Sequence, residues 1–370
     1  MKFIVLQKNL AKSLSQISRI ATSKTTLPIL NNVLIEAEKN LLKLSTTNLE
    51  IGITSQIRAK IEKEGKITLP CQILTNFIDL IDEELIEVEL EDSEVNFKSK
   101  NSFTKIKGIS AEEFPIIPQI EKENCFKIKA DILKTALDKV IFAVSPAETR
   151  IEISGVLFSF NSPEENFLTL VGTDSYRLAE KVVKLTDSNF KEKLNLIIPI
   201  KALQEFSRLP EEEKIVEIYS SENQILFVYE STELISRVIN GEYPDYKQII
   251  PSSFTTKIIL EKESFLKAIK TVSLFSRTGI NDVNLKFEAK NNKTIVSSLN
   301  TQLGQSEIRL ESEIRGADNE IIFNYRYLLD GLLNISGDEV NLNIVNDRAP
   351  AVLSSPQDKE YIYLIMPIKK

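Results

Sequence analysis

At 370 residues and 42% hydrophobic content, the chain is long enough for two or three separately cored domains and too apolar to be disordered. Histidine is absent, which removes the commonest general base, the Ser-His and Cys-His nucleophile pairs and every histidine-ligated metal site. A formal charge of −7 excludes a surface coated in base, though not a local basic stripe.

The opening MKFIVLQKNLAK lacks the apolar core and small-residue cleavage site of a signal peptide, and no run of 18 apolar residues follows, so a soluble, cytoplasmic protein is expected. Phe3 and Val5 predict a strand, and Leu10, Leu14 and Ile17 one face of a helix. Lys8, Lys12 and Arg19 fall within about 40° of one another on the other face, taking ~100° per residue. The run LEIGITSQI from Leu49 reads as a strand, and ITLPCQILTNFIDLI (67–81) as a short strand, a turn and a second helix with Leu74 in its core. In DEELIEVELEDSE (82–94), Ile86, Val88 and Leu90 alternate with Glu87, Glu89 and Glu91, the pattern of a solvated edge or surface strand with an acidic outer face. The block closes on GISAEEFPIIP near Phe114, where proline interrupts pairing and the chain is expected to exit into a linker.

The same order then repeats. Phe126, Ile128, Leu133, Leu137 and Val140 match the first strand and helix, with Lys134 and Lys139 flanking a polar face that Asp131 and Asp138 share. LIIPIKALQEFSRLP (196–210) matches the second helix, with Leu203 as the core residue and Lys201 and Arg208 outward; IVEIYSS and ILFVYE are strands, and GEYPDYKQIIP (241–251) is the second exit. Ile258, Leu260, Phe265, Ile269 and Val272 open a third copy, whose polar side carries Lys267 and Lys270 with Glu263; IIFNYRYLLDGLLNI (321–335) supplies its second helix, with Leu328 in the core and Arg326 outward, and EVNLNIV a later strand. Units of this length are domains, not solenoid repeats. The class is therefore α+β, three tandem copies of two helices backed by antiparallel sheet, with boundaries placed at 1–123, 124–253 and 254–370.

Chemistry is poorly supported. With only 11 glycines there is neither a GxxxxGK[ST] loop nor a GxGxxG turn, and Cys71 and Cys125, without metal-ligand spacing, read as inert packing thiols. Thr173, Asp174 and Arg177 form either a hydrogen-bonded turn between two strands or a catalytic turn. A triplicated enzyme could keep matched groups in every block, yet the comparable turns hold Thr47, Asn48 and Glu50 in block one and Asn300 and Thr301 in block three. Asp and Arg do not recur together.

Five strings, the N-terminal MKF, TLPIL (26–30), GTDSYRLA (172–179), GEYPDY (241–246) and the terminal YLIMPIKK, together resemble the bacterial DNA polymerase III beta subunit family, the sliding clamps, in order and over the whole chain. The resemblance implies a head-to-tail homodimer whose six domains form a ring around duplex DNA, with no catalysis and no cofactor. Such a ring tethers the DNA polymerase III alpha subunit, while a separate clamp loader opens it. The polar helix faces then suggest DNA-facing roles for Lys8, Lys12, Arg19, Lys134, Lys201, Arg208, Lys267, Lys270 and Arg326, and the resemblance adds Lys24 and Arg150. It further implies a groove where short linear peptides of the loader, other polymerases and repair proteins dock, formed by Ile153, Thr173, Ser175, Tyr176, Arg177, Leu178, Pro244, Gln248, Ile249, Tyr327, Pro350, Leu364, Met366, Pro367 and Ile368. Ser175 and Tyr176 replace a common Gly-His, and Gln248 a common basic residue, so peptide preference is expected to differ. Dimer contacts are expected near Phe103–Ile109 and Leu274–Arg277.

Overall fold

A computed structural model describes residues 1–22, 27–100, 102–123, 125–145, 149–160, 166–189, 193–209 and 213–369. Among the described residues the α-helices are α1 (Gln7–Ile17), α2 (Cys71–Asp79), α3 (Ala130–Ile141), α4 (Ile200–Phe206), α5 (Lys262–Ser273) and α6 (Tyr325–Asn334). Each repeat runs strand, helix, five strands, helix, three strands. The apolar positions common to the repeats explain this: all fifteen residues from Phe3 to Val272 that define the first strand and helix are at most 2% exposed, and Leu74, Leu203 and Leu328 are fully buried. Helix starts are fixed locally where a cap exists. Glu261 accepts from the N–H groups of Glu263 (3.2 Å) and Ser264 (2.7 Å) at α5, and Asn324 from that of Arg326 (3.0 Å) at α6.

The chain divides into two compact units. The first comprises 1–131, 185–190 and 201–238, the second 132–184, 191–200 and 239–370, so the central repeat contributes to both. Within the first, α1 packs beside α2 and against the strands Leu41–Thr47 and Ile51–Arg58; within the second, α5 packs beside α6 and against Lys293–Asn300 and Gly304–Glu311. Both cysteines are buried, and burial pushes the Cys71 thiol up to about 12, as expected for an inert packing group.

Each unit holds one nine-stranded sheet and one smaller sheet, and every strand pair among the described residues is antiparallel. In the first unit a five-strand half from the central repeat joins a four-strand half from the first repeat, through Thr232–Arg237 against Ile51–Arg58, with Thr232 facing Ser55. In the second unit a four-strand half from the central repeat joins a five-strand half from the third, through Arg177–Lys184 against Tyr361–Ile365, with Lys181 facing Tyr361. Two halves are left over. The five-stranded sheet of the first repeat ends on Phe103–Lys107, and the four-stranded sheet of the third repeat ends on Gly304–Glu311.

One expectation narrows to its surface-strand alternative and another changes. The strand Leu85–Glu91 is no edge: it pairs with Lys2–Leu6 on one side and Glu94–Lys98 on the other, Ile86 and Val88 are fully buried, and its acidic face is partnered by Lys2 on Glu87 (3.2 Å) and Lys98 on Glu89 (3.5 Å). The two proline-containing exits are also not free linkers. Each crosses the outer face of a nine-stranded sheet as a strap, because its own apolar residues need cover. In the first, Ile109 donates to the carbonyl of Thr68 (3.0 Å), and Ile117 and Ile120 pack with Leu226 and Ile235. In the second, Ile239 donates to the carbonyl of Ile197 (2.8 Å), and Tyr243, Tyr246, Ile250 and Phe254 cover Leu157, Val171, Leu178, Val352 and Leu364.

Candidate partner-binding groove

The turn Thr173–Arg177 is built from its own side chains. Asp174 Oδ1 accepts the N–H groups of Tyr176 and Arg177, both at 2.9 Å, and Thr173 Oγ1 donates to the Arg177 carbonyl at 2.7 Å. This is the structural reading of Asp174. Ser175, at the tip, adopts a left-handed φ of 78°, a conformation disfavoured for any residue but glycine. Behind the turn, Gly172 is required by close approach, since a Cβ there would lie 2.3 Å from the Val140 carbonyl oxygen at the end of α3.

Arg177 is the hub. Its Nε donates to Asp174 Oδ2 (3.0 Å), Nη1 to Asp330 Oδ2 (2.5 Å) and Nη2 to the Phe142 carbonyl (2.8 Å). The guanidinium lies over two rings, 5.5 Å from Phe142 and 4.7 Å from Tyr327, and Tyr176 stacks on Tyr327 at 6.3 Å and 20°. Burial disfavours the cation, but the Tyr363 phenol together with the carboxylates of Asp330 and Asp174 outweighs it and holds the Arg177 pKa above its ordinary value. Phe142, Arg177, Tyr327 and Tyr176 are thus linked by successive ring contacts, and Tyr176 is 62% exposed.

The C-terminal strand completes the site. Arg177 faces Ile365 and Leu178 faces Leu364, Met366 donates its N–H to the Tyr176 carbonyl (2.8 Å), and Ile368 does so to the Ile322 carbonyl (2.8 Å). Ala351 faces Ile365, which brings Pro350 to the Met366 end. Gly331 leaves room for the Tyr363 ring, 2.3 Å from where a Cβ would sit, and the Tyr363 hydroxyl reaches the Tyr327 carbonyl at 2.8 Å. Of the expected groove residues, Leu178, Leu364, Ile153 and Thr173 are buried, Ser175, Tyr176, Gln248 and Ile249 are exposed, and Arg177, Pro244, Tyr327, Pro350, Met366, Pro367 and Ile368 are half-buried. Gln248 is turned to Asp245 (2.8 Å).

Several residues of this neighbourhood escape sequence reasoning. Phe142 and Asp330 hold Arg177, yet they lie 35 and 153 positions from it in the chain; the available signal for Asp330 is its place one helical turn from Tyr327. Glu180, which accepts from the Tyr246 hydroxyl at 2.5 Å, carries no sequence signal either. Lys139 is not a flank of a polar face. It is 9% exposed and bound by Asp358 and by Ser336 Oγ (2.7 Å), while Lys181 reaches the other Asp358 oxygen at 2.6 Å. Burial alone would push the Asp358 carboxyl up, but the two lysines outweigh it and hold it below the usual range.

The basic candidates divide between the units. In the first unit Lys8 and Lys12 are exposed on α1, Arg19 is exposed two residues beyond it, Lys201 is exposed on α4 and Arg208, also exposed, pairs with Glu205 (2.5 Å). In the second, Lys267 and Lys270 are exposed on α5, Arg326 is exposed on α6 with its guanidinium 6.0 Å from the Tyr325 ring, and Lys134 is half-buried on α3. Arg150 donates to Ser175 Oγ (2.7 Å), at the tip of the Thr173–Arg177 turn, and pairs with Glu152 (3.0 Å). Lys24 lies outside the described residues. No helix among the described residues is long and apolar enough to cross a membrane.

A thrice-repeated α+β unit whose half-sheets join end to end defines a clamp-type architecture. Family models of the DNA polymerase III beta subunit match in series: the N-terminal domain over residues 1–118, the central domain over 127–245 and the C-terminal domain over 247–369. The beta sliding clamp of Bacillus subtilis is 30% identical over 381 residues, with both chains covered in full. Among solved structures, the sliding clamp of Bacillus subtilis superposes with a TM-score of 0.94 at 29% identity, over 100% of this chain and 99% of that one; the clamp of Bartonella birtlesii bound to griselimycin gives 0.92 at 29% over both complete chains. The chain belongs to the DNA polymerase III beta subunit family, the beta sliding clamps.

Proposed function

We propose that two copies of this chain close head to tail into a ring that encircles duplex DNA and confers processivity on DNA polymerase III without chemistry of its own. The observation that carries the reading is the pair of leftover half-sheets: the chain joins a five-strand to a four-strand half twice, and one of each kind remains with an edge unpaired among the described residues. Exposed Phe103 on the first edge, and exposed Leu274, Leu299 and Leu303 near the second, are the apolar surface that such a joint would bury. The repeat boundaries at 123 and 253 fit the same scheme, three domains per copy and six per ring.

On this reading the lumen attracts phosphates without reading sequence, through Lys8, Lys12, Arg19, Lys24, Lys134, Lys201, Arg208, Lys267, Lys270 and Arg326, weakly enough to slide. The groove around Tyr176, Tyr327 and Met366 takes short peptides of the DNA polymerase III alpha subunit, the clamp loader and other polymerases and repair proteins, in the cytoplasm. Apolar walls with few polar groups favour such a use. Met366→Ala is expected to weaken binding of a fluorescein-labelled peptide taken from the polymerase's alpha subunit, read by fluorescence polarisation, while light scattering still reports a mass twice the 41.9 kDa chain. Undiminished peptide binding would remove the groove from the account, and a monomeric mass would remove the ring.

A further inference from the structure

The Thr173–Arg177 turn has a twin in the first unit. Thr47 Oγ1 donates to the Ile51 carbonyl at 2.9 Å, and Asn48 Oδ1 accepts the N–H groups of Glu50 (3.1 Å) and Ile51 (2.8 Å), the bonds that Thr173 and Asp174 make in the second unit. Leu49 at its tip has a left-handed φ of 76°, against 78° for Ser175. The strand across the joint is held alike: Arg237 donates its N–H to the Glu50 carbonyl (3.1 Å), as Met366 does to that of Tyr176. These bonds and the strand register equate Leu49 with Ser175, Glu50 with Tyr176, Gln224 with Pro350 and Arg237 with Met366. In the straps, the Ile-Ile-Pro runs 116–118 and 249–251 equate Ile116 with Ile249.

All five of these first-unit residues line one recess of about 220 Å³, together with buried Ile51 and Ile235. Its backbone frame is that of the second unit's groove, and its side chains are not. Where that groove has Tyr176 and Met366, this recess has a carboxylate and a guanidinium, both exposed and neither paired through its side chain among the described residues. Two aliphatic side chains accompany them, Ile116 at 94% and Leu49 at 50% exposure. The left-handed conformation is costly for leucine, and glycine or asparagine would hold the same turn at less cost. Aliphatic groups kept in solvent at a recess, with two unpaired charges on its lining, suit a surface that a partner covers.

We infer that this recess is a second docking groove, which takes an extended segment of a partner protein carrying aliphatic residues between a basic and an acidic side chain. The aliphatic residues cover Leu49 and Ile116, the acid meets Arg237 in a charge-assisted pair, and the base meets Glu50. A wholly apolar segment does not fit, because it would desolvate Glu50 and Arg237 without pairing them. The inference carries to the first unit the peptide-docking reading proposed for the second, and rests on it.

The probes are fluorescein-labelled Gly-Lys-Leu-Leu-Asp-Gly and its reversed order, Gly-Asp-Leu-Leu-Lys-Gly, each titrated with the full chain by fluorescence polarisation. One order is expected to bind more tightly, because the two charges occupy distinct positions. Reversing either charge alone, Glu50→Arg or Arg237→Glu, should cut affinity for the preferred peptide by about fivefold. Reversing both in one chain should exchange the preferred order. Leu49→Gly, which relieves the left-handed leucine, should preserve or raise the urea midpoint and still weaken binding. Excess unlabelled peptide from the polymerase's alpha subunit should not displace the probe. No saturable binding of either order, an unchanged preference in the double variant, undiminished binding by Leu49→Gly, or displacement by the alpha-subunit peptide would overturn the inference. Binding of the alpha-subunit peptide to the same chain is read separately. If it binds and the probes do not, this inference alone fails; if neither binds, the docking reading of the second unit's groove fails with it.

Discussion

Arg177→Met keeps the aliphatic stem and deletes the guanidinium that ties the groove together. The Asp330 arm counts for about 0–1 kcal/mol, since that carboxylate is 43% exposed and screened. The Phe142 carbonyl loses a charged donor, about 1–3 kcal/mol, and Asp174 keeps its two backbone N–H bonds, so its loss is about 1 kcal/mol. The two ring contacts add about 0.5–1 kcal/mol each. Together these give about 3–7 kcal/mol of local stability, or roughly 10²- to 10⁵-fold in the equilibrium for opening the groove. The Met366 amide, bonded to the Tyr176 carbonyl, reports that opening directly in native-state hydrogen exchange. Its protection should fall by that factor in Arg177→Met and by less than about tenfold in Asp330→Asn, which removes only the exposed arm. Equal protection in wild type and Arg177→Met, or equal losses in the two variants, would show that the stack does not hold the C-terminal strand.

Three further outcomes are expected. Carrying the register of the two internal joints through the repeats sets Ser102 of one copy opposite Ile308 of the next, hence Thr104 opposite Ser306. A Thr104→Cys, Ser306→Cys chain should therefore oxidise to a covalent dimer, visible on non-reducing gels, because facing residues on paired strands lie about 4.5–5.5 Å apart and suit a disulfide. Thr104→Cys with Ile308→Cys, displaced by two residues, should not. Asp358→Asn leaves Lys139 and Lys181 facing each other with their shared carboxylate gone, a loss of about 3–5 kcal/mol in urea unfolding. Because the folded Asp358 pKa is lowered, this stabilisation is complete above the unfolded value near ~4 and disappears only as pH falls through the lower folded value. The gap between wild type and variant should thus be constant from about pH 5 to 8. Lys12→Glu with Arg19→Glu should shorten retention on nicked circular DNA and flatten its salt dependence without altering peptide affinity, measured by loading assays and polarisation; Arg150→Glu, beside Ser175, should move peptide affinity.

Local periodicity is legible in the sequence because helix and strand cores depend on neighbours three, four or two residues away. Phe3, Leu14, Leu137 and Phe265 are readable for that reason. The joints are not, since Thr232 meets Ser55 across 177 positions and nothing in either strand names its partner. Lys139 misleads for the same cause: its helical position is polar, but Asp358, 219 positions away, draws it inside. Of the groove, the turn and the C-terminal tail are legible as strings, whereas the hub around Arg177 depends on Phe142 and Asp330, which carry no motif. The straps read as exits because proline speaks against pairing and says nothing about lying flat on a sheet.

The most direct test of the ring is topological. The purified chain, loaded by a clamp loader onto nicked circular DNA, should remain bound through gel filtration, and cutting the circle at one site should release it within the time needed to slide off the ends. Rapid loss from the intact circle, or equal retention on circular and linear DNA, would contradict encirclement and with it the account of the three repeats.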